Sequence, residues 1–144
     1  MRLREARARE VVDTSTATGV GRVEGAVVAL DPPRVQAWRL AKAKAGGLLS
    51  WSDLTAFGPD AVTIPGENVL RDASDDAEAA ASHPDRELLD KPALSEFGMD
   101  LGTVVDAEVD PDSGAIVTVL TDRAEIPAER LLGLGGYAVV FRDA

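Results

Sequence analysis

The sequence repeats itself across its midpoint, and this repeat restricts the possible folds more than any other feature. Val20–Val28 aligns with Leu101–Val109 at an offset of 81 residues, and small or apolar residues coincide at alternate positions. The first half then has four extra residues, and the match resumes at an offset of 77, where Leu54 meets Leu131. Two similar halves at a nearly constant offset predict a duplicated unit of about 55–70 residues.

Each half has the pattern of a small β unit. Short Val-rich runs come in pairs, and the turns between them hold Pro, Asp or Gly, as tight hairpin turns do. The predicted strands are Gly21–Leu30, Val35–Leu40, Ala61–Ile64, Gly102–Val109, Ala115–Thr121 and Tyr137–Phe141. Single helical turns are predicted at Ser50–Leu54 and Pro127–Leu131, which begin with Ser or Pro. The sequence therefore predicts a mainly β protein of two tandem small antiparallel barrels, in which each sheet closes and hides its edges.

Charge is divided unevenly and marks the boundary between the halves. Residues 1–71 carry 10 basic and 8 acidic side chains, whereas residues 72–144 carry 5 and 17. Residues 72–90 hold seven acids and one base, and their central part has no large apolar residue. Such a stretch buries too little surface to offset its ordering entropy, although Ala and Glu also allow a short helix over residues 75–81. We therefore predict a first repeat at 1–71, an acidic flexible linker at 72–90 and a second repeat at 91–144.

The order of motifs resembles the PRC-barrel family. Each half has Gly-x-Val on its first long strand (Gly21–Val23 and Gly102–Val104), an acidic turn, a second strand, and a closing Gly-x-x-Ala-Val (Gly58–Val62 and Gly135–Val139). The resemblance covers nearly the whole chain outside residues 72–90, and Leu48–Leu70 is its most characteristic piece.

The PRC-barrel resemblance also carries an expectation about function. The family includes the cytoplasmic barrel of the photosynthetic reaction-centre H subunit and the C-terminal domain of a ribosome maturation factor. These members act as docking modules or assembly factors and share no catalytic residues, so the resemblance implies a non-catalytic protein-interaction or assembly adaptor. The alternative that it implies is a role in ribosome maturation, through binding of a ribosomal protein.

Composition disfavours most catalytic and metal-binding sites. The chain has no cysteine and a single histidine, His83, so thiolate sites and His-rich zinc sites are excluded and a Ser-His triad is disfavoured. The acidic run at residues 106–112 lacks the spacing of a calcium loop, and the glycines at 133–136 lack that of a dinucleotide loop. We predict a protein that is not an enzyme and needs no cofactor or metal. A ligand-binding protein or enzyme remains the alternative if polar groups converge on an internal pocket.

Net charge and hydropathy limit the partners. The formal net charge is −10, which disfavours direct binding of nucleic acid, because phosphate backbones require clustered Lys and Arg. No apolar run approaches the roughly 20 residues that span a bilayer, and the first residues lack the apolar stretch of a signal peptide. The sequence predicts a cytoplasmic chain without membrane insertion. The predicted partner is another protein, and a homodimer is the alternative. The acidity is also compatible with a high-salt habitat.

Two groups of residues are candidates for the partner surface. Trp38, Trp51 and Phe57 all lie in the first half and are either core residues or interface anchors, with Trp51 the best surface candidate because it lies in a turn. Arg2, Arg4 and Arg7 belong to a run of N-terminal arginines that either faces an acidic partner or RNA, or pairs within the chain. The same segment, Leu3–Glu10, predicts a short helix or a lead-in to a strand at Val11–Asp13.

Overall fold

The computed structural model describes residues 1–143. The first half contains strands β1 (Glu10–Asp13), β2 (Thr18–Ala29), β3 (Arg34–Ala41), β4 (Leu48–Ser50), β5 (Ala56–Phe57) and β6 (Val62–Ile64). The second half contains β7 (Pro92–Ser95), β8 (Asp100–Val109), β9 (Ile116–Thr121), β10 (Glu125–Pro127), β11 (Leu131–Leu134) and β12 (Val139–Phe141). The helices are short: α1 (Leu3–Ala6), α2 (Asp76–Ala81) and single 3-10 turns at Trp51–Asp53, Glu67–Val69, Pro84–Arg86 and Ala128–Arg130.

The two halves have the same topology. The strand order is β4-β3-β2-β1-β6-β5 in the first sheet and β10-β9-β8-β7-β12-β11 in the second. All neighbouring strands are antiparallel except β1 with β6 and β7 with β12, which are parallel. The predicted mainly β fold of two similar barrel-like halves with single-turn helices is therefore confirmed, and the parallel pair in each half is an addition to it.

The register repeats along with the strand order. Ala26 lies opposite Trp38 in the first half, and Ala107 lies opposite Val119 in the second. Both members of the second pair lie 81 residues after their counterparts, which is the offset found in the sequence. β2 and β8 also carry β-bulges at the same two places in this ladder. The aligned positions of the sequence are thus structurally equivalent.

The two halves share one hydrophobic core. Its fully buried side chains include Trp38 and Val62 from the first half and Val104 and Phe141 from the second, and they belong to one continuous cluster. Val104, Ala107 and Val109 of β8 face this core, whereas Val105 is exposed because a β-bulge between Val104 and Asp106 interrupts the alternation. The repeats therefore pack as one body.

The segment that leads into each half lies against the opposite half. The Met1 carbonyl accepts a hydrogen bond from the Val109 amide of β8 at 2.7 Å, and Arg2 forms an antiparallel bridge with Glu108. Reciprocally, Glu87, five residues before β7, fills the space beside Gly25 of β2 where a β-carbon would lie. The lead-ins are thus exchanged between the halves, a contact that the sequence repeat did not predict.

The β2–β3 and β8–β9 hairpin turns also meet in a reciprocal way. The Val35 amide donates to the Gly114 carbonyl at 2.8 Å, and the Ile116 amide donates to the Pro33 carbonyl at 3.1 Å. Val35 and Ile116 are equivalent residues, as are Pro33 and Gly114, because each pair is separated by 81 positions. This contact therefore has a local two-fold relation.

Replacing Gly114 with alanine tests this contact between the turns. Gly114 has a φ of +80°, and an added β-carbon would lie 2.7 Å from the Trp51 ring, so we expect Gly114→Ala to lower the free energy of unfolding by about 2 kcal/mol. Gly98 is the matched control, since it has the same φ of +80° and no atom within 4 Å of its added β-carbon. Gly98→Ala should cost only about 1 kcal/mol in urea unfolding. Equal losses in the two variants would show that the Trp51 contact contributes nothing.

Residues 72–90, whose composition predicts a flexible linker, are attached to the first half by an ion pair and contain a capped helix. The Arg71 guanidinium pairs with the Glu78 carboxylate, and it also donates to Ser50 Oγ at 2.8 and 2.9 Å. Glu78 is only 7% exposed, and its own amide donates to Asp75 Oδ1, which caps helix α2. Arg71 lies outside residues 72–90, so the charge count of that stretch does not reveal the Arg71–Glu78 ion pair.

Candidate functional site

The three aromatic residues of the first half form a stacked cluster. The rings of Trp38 and Phe57 are centred 4.8 Å apart, and those of Trp51 and Phe57 lie 6.0 Å apart and nearly parallel. Trp38 is 0% exposed and Phe57 7%, so both are core residues and offer no partner surface. Trp51 is partly buried, and its ring lies against Gly114 of the second half. Of the two alternatives for these residues, core packing or a partner surface, the structure shows core packing for Trp38 and Phe57.

The N-terminal arginines face the second half of the same chain. Arg2 Nε lies 2.9 Å from Glu108 Oε2, and the Arg4 guanidinium donates to the Val105 carbonyl and to Asp90. Arg7 Nε is buried without a hydrogen-bond partner within residues 1–143. Arg2 and Arg4 therefore pair within the chain. These pairs join the basic first half to the acidic part of the chain that follows it.

Two large apolar side chains are exposed side by side elsewhere, in the turn between β7 and β8. Phe97 is 74% exposed and Met99 67%, and we name residues 96–99 the tip. Ser95, at the base of this turn, holds it in place: its Oγ accepts from the amides of Phe97 and Met99 at 3.2 and 3.1 Å. The Ser95 amide also donates to the Met99 carbonyl at 2.9 Å. The tip is thus an ordered turn that presents two apolar side chains to solvent.

The first half shows that this turn does not need apolar residues to fold. Its counterpart, residues 14–17 between β1 and β2, consists of the small residues Thr, Ser, Thr and Ala, all exposed. Asp13 takes the place of Ser95, since its Oδ1 accepts from the Ser15 amide at 2.8 Å. Because a side chain at the end of the first strand holds the turn in both halves, such a turn forms without large apolar side chains.

Carboxylates surround the tip. Glu96 is part of it, and its Oε1 accepts from the Asp143 amide at 3.0 Å. Asp100 follows directly and lies 3.4 Å from Arg123, and Asp122 Oδ1 accepts from the Thr103 amide at 2.9 Å. These four acids outnumber Arg123 and the neighbouring Arg142, so the residues beside the two apolar side chains form a rim of net negative charge. An apolar centre with a charged rim is the usual anatomy of a protein interface.

The candidates chosen from sequence did not include the tip. The signal is present in Glu96–Asp100, where two large apolar residues flank a glycine between acids, at a turn that was not predicted from the sequence. Turn residues are usually small or polar, so Phe97 and Met99 at such a turn are out of place. They become informative only beside the counterpart turn of the first half, which the sequence alignment does not reveal because the two turns differ in sequence.

The described part of the chain has neither a group of three metal-ligating side chains nor a membrane-spanning helix. Among residues 1–143, no three His, Asp or Glu side chains are grouped so that they could hold a metal ion. No helix in this range has the length and apolar composition needed to cross a bilayer. The absence of a cofactor or catalytic activity remains a prediction.

No protein-family model matches the sequence, and no curated protein does so either. The geometry of the chain itself therefore supplies the evidence on function.

Proposed function

We propose that this protein is a non-catalytic interaction or assembly adaptor of the tandem PRC-barrel type, which docks onto a basic protein through its tip. The observation that carries the proposal is the exposure of Phe97 and Met99 on an ordered turn. The repeated barrel-like topology supports the family resemblance, and the carboxylate rim supports a basic partner.

Energetics favour the tip as an anchor. Exposed Phe and Met side chains gain roughly 1.5–3 kcal/mol each when a partner buries them fully. Interfaces draw most of their affinity from a few such residues, which pack in a pocket surrounded by polar contacts. The acidic rim adds attraction for a basic partner and raises the association rate, and salt screens both effects.

Site-specific photo-cross-linking identifies the partner. A photoreactive phenylalanine analogue replaces Phe97 in one variant and Tyr137 in a second, in cells of the source organism. Tyr137 is the matched control, because it is an aromatic residue that is 80% exposed on a different turn of the same half. We expect a discrete adduct with a basic protein from position 97 and not from position 137. A ribosomal protein in that adduct would favour the ribosome-maturation role, and a second copy of this chain would favour the homodimer.

Variants of the tip then test the contact with the purified partner. We expect Phe97→Ser with Met99→Ser to raise Kd about thirtyfold, which corresponds to about 2 kcal/mol. Ser15→Ala, in the counterpart turn of the first half, should leave Kd unchanged, and circular dichroism should show a native fold in both. An unchanged Kd in the tip variant, or an adduct formed only from position 137, would contradict the proposal.

A further inference from the structure

The open edge of β10 is the strongest unassigned feature, and its counterpart in the first half shows how such an edge is covered. Leu48 of β4 lies opposite Arg39, and Glu125 of β10 lies opposite Leu120 at the equivalent place. The outward amide and carbonyl of Leu48 bond to the carbonyl and amide of Arg71 at 2.8 and 3.0 Å. One extended residue of the chain thus covers the edge of β4.

Glu125 presents the same groups without such a cover. The Thr121 amide donates to the Ala124 carbonyl at 2.8 Å, as the Leu40 amide donates to the Gly47 carbonyl at 2.8 Å. Bonds across an antiparallel pair alternate in direction, so the amide and carbonyl of the next residue point away from the sheet in both halves. Within residues 1–143, no backbone group bonds to the outward amide and carbonyl of Glu125.

A groove runs beside this edge. It consists of two adjoining depressions of about 440 and 580 Å³, which share Pro32, Pro33 and Glu129. Glu125 lines the larger depression together with Val117, whose side chain is 55% exposed. The groove therefore offers an apolar wall next to unpaired backbone groups, which is the arrangement that accepts an added strand.

The charge of the groove selects its occupant. Asp31, Glu125 and Glu129 line it, and Arg142 is the single base. Arg142 is already engaged, because its guanidinium donates to the Glu129 carbonyl. Pro127 lacks an amide, so the added segment pairs over a very short length, as Arg71 does on β4, and side-chain charge must supply much of the affinity.

We infer that the β10 edge and its groove bind an extended basic segment of another protein, which pairs with Glu125 as Arg71 pairs with Leu48. The inference does not depend on the tip, since different residues form it and a different mode of recognition serves it. The backbone of Glu125 supplies the pairing, and the carboxylates of Glu125, Glu129 and Asp31 select Lys or Arg.

Peptide titration followed by backbone-assigned ¹H–¹⁵N NMR of the full chain tests the inference. The probe is a peptide of residues 67–73, which covers β4 in the first half, with Glu67→Lys and Asp72→Lys to make it basic. We expect it to shift the Glu125 amide and its neighbours on β10, and to bind at least about tenfold more tightly than the unmodified peptide. Methylation of the Arg71 backbone nitrogen in the probe should abolish the shift, because it removes the pairing donor.

Charge-reversed proteins separate this site from general attraction and from the tip. Glu125→Lys with Glu129→Lys should weaken binding of the basic probe about tenfold. Glu96→Lys with Asp100→Lys changes the net charge by the same amount at the tip. This variant should bind the basic probe with an affinity within about twofold of that of the unmodified protein. Equal weakening in both proteins, shifts confined to other strands, or a concentration-dependent shift of Glu125 without peptide would overturn the inference.

Discussion

Trp38→Ala lowers the free energy of unfolding by about 4 kcal/mol. Trp38 is 0% exposed, and its ring centre lies 4.8 Å from that of Phe57 and 6.1 Å from that of Trp51. Removal of the indole loses its transfer free energy and leaves a cavity that the sheet cannot close. Urea unfolding followed by circular dichroism measures the loss, and the milder Trp38→Phe retains enough packing to keep a measurable transition.

The equivalent position in the second half provides the control for Trp38. Val119 is also 0% exposed, and Val119→Ala removes less volume, so we expect a loss of about 2 kcal/mol. Val117→Ala, on a side chain that is 55% exposed, should change stability by less than about 0.5 kcal/mol. A smaller loss for Trp38→Ala than for Val119→Ala would contradict the placement of the tryptophan at the centre of the shared core.

Glu78→Gln lowers the free energy of unfolding by about 3 kcal/mol at neutral pH. The Arg71 guanidinium, together with hydrogen bonds from Ser74, lowers the pKa of Glu78 from 4.5 to about 2. The folded protein therefore favours the ionised carboxylate more than the unfolded chain does. The resulting stability is fully present above pH 4.5 and is lost as the pH falls towards 2, so the variant should have a shallower decline of stability in acid.

Glu87 supplies a control with the opposite sign. It lies 3.4 Å from Arg39, but its Oε1 is buried without a partner within residues 1–143, and burial raises its pKa above 4.5. The folded state therefore disfavours its ionised form, and stability from this group falls as the pH rises above 4.5. Glu87→Gln should cost no stability at neutral pH. Equal losses for Glu78→Gln and Glu87→Gln would contradict the difference between the two environments.

The repeat and its strands could be predicted from sequence because they depend on local patterns. Alternation along Val105–Asp110 predicts a strand with one wet face, and Asp110–Gly114 predicts a tight turn. The strand is confirmed, but the β-bulge that exposes Val105 is not visible in the alternation. The offset of 81 then predicts equivalent pairs such as Val23 with Leu40 and Val104 with Thr121. These features follow from the periodicity and turn composition of short stretches of the sequence.

The exchanged lead-ins could not be predicted in the same way. Ala8 and Asp90 are equivalent, since their amides bond to Val23 and Val104 at 2.7 and 2.8 Å and both have a positive φ. Their flanking sequences differ, because one lead-in is rich in arginine and the other in acids. Backbone hydrogen bonds between distant segments place them, and such bonds leave little trace in the choice of side chains. The tip was not predicted from sequence for a related reason. Only its structural counterpart, residues 14–17, shows that such a turn forms without large apolar residues.

The claim that the two halves form one body through a shared core and exchanged lead-ins has a direct test. Both tryptophans lie in the first half, and the Trp51 ring also packs on Gly114, so their fluorescence reports the first half and its contact with the β8–β9 turn. Amide exchange in β8 and β12 reports the second half. Urea unfolding of the full chain should give one midpoint and one free energy by both probes. A second half that loses protection while the tryptophan fluorescence remains native would contradict the account.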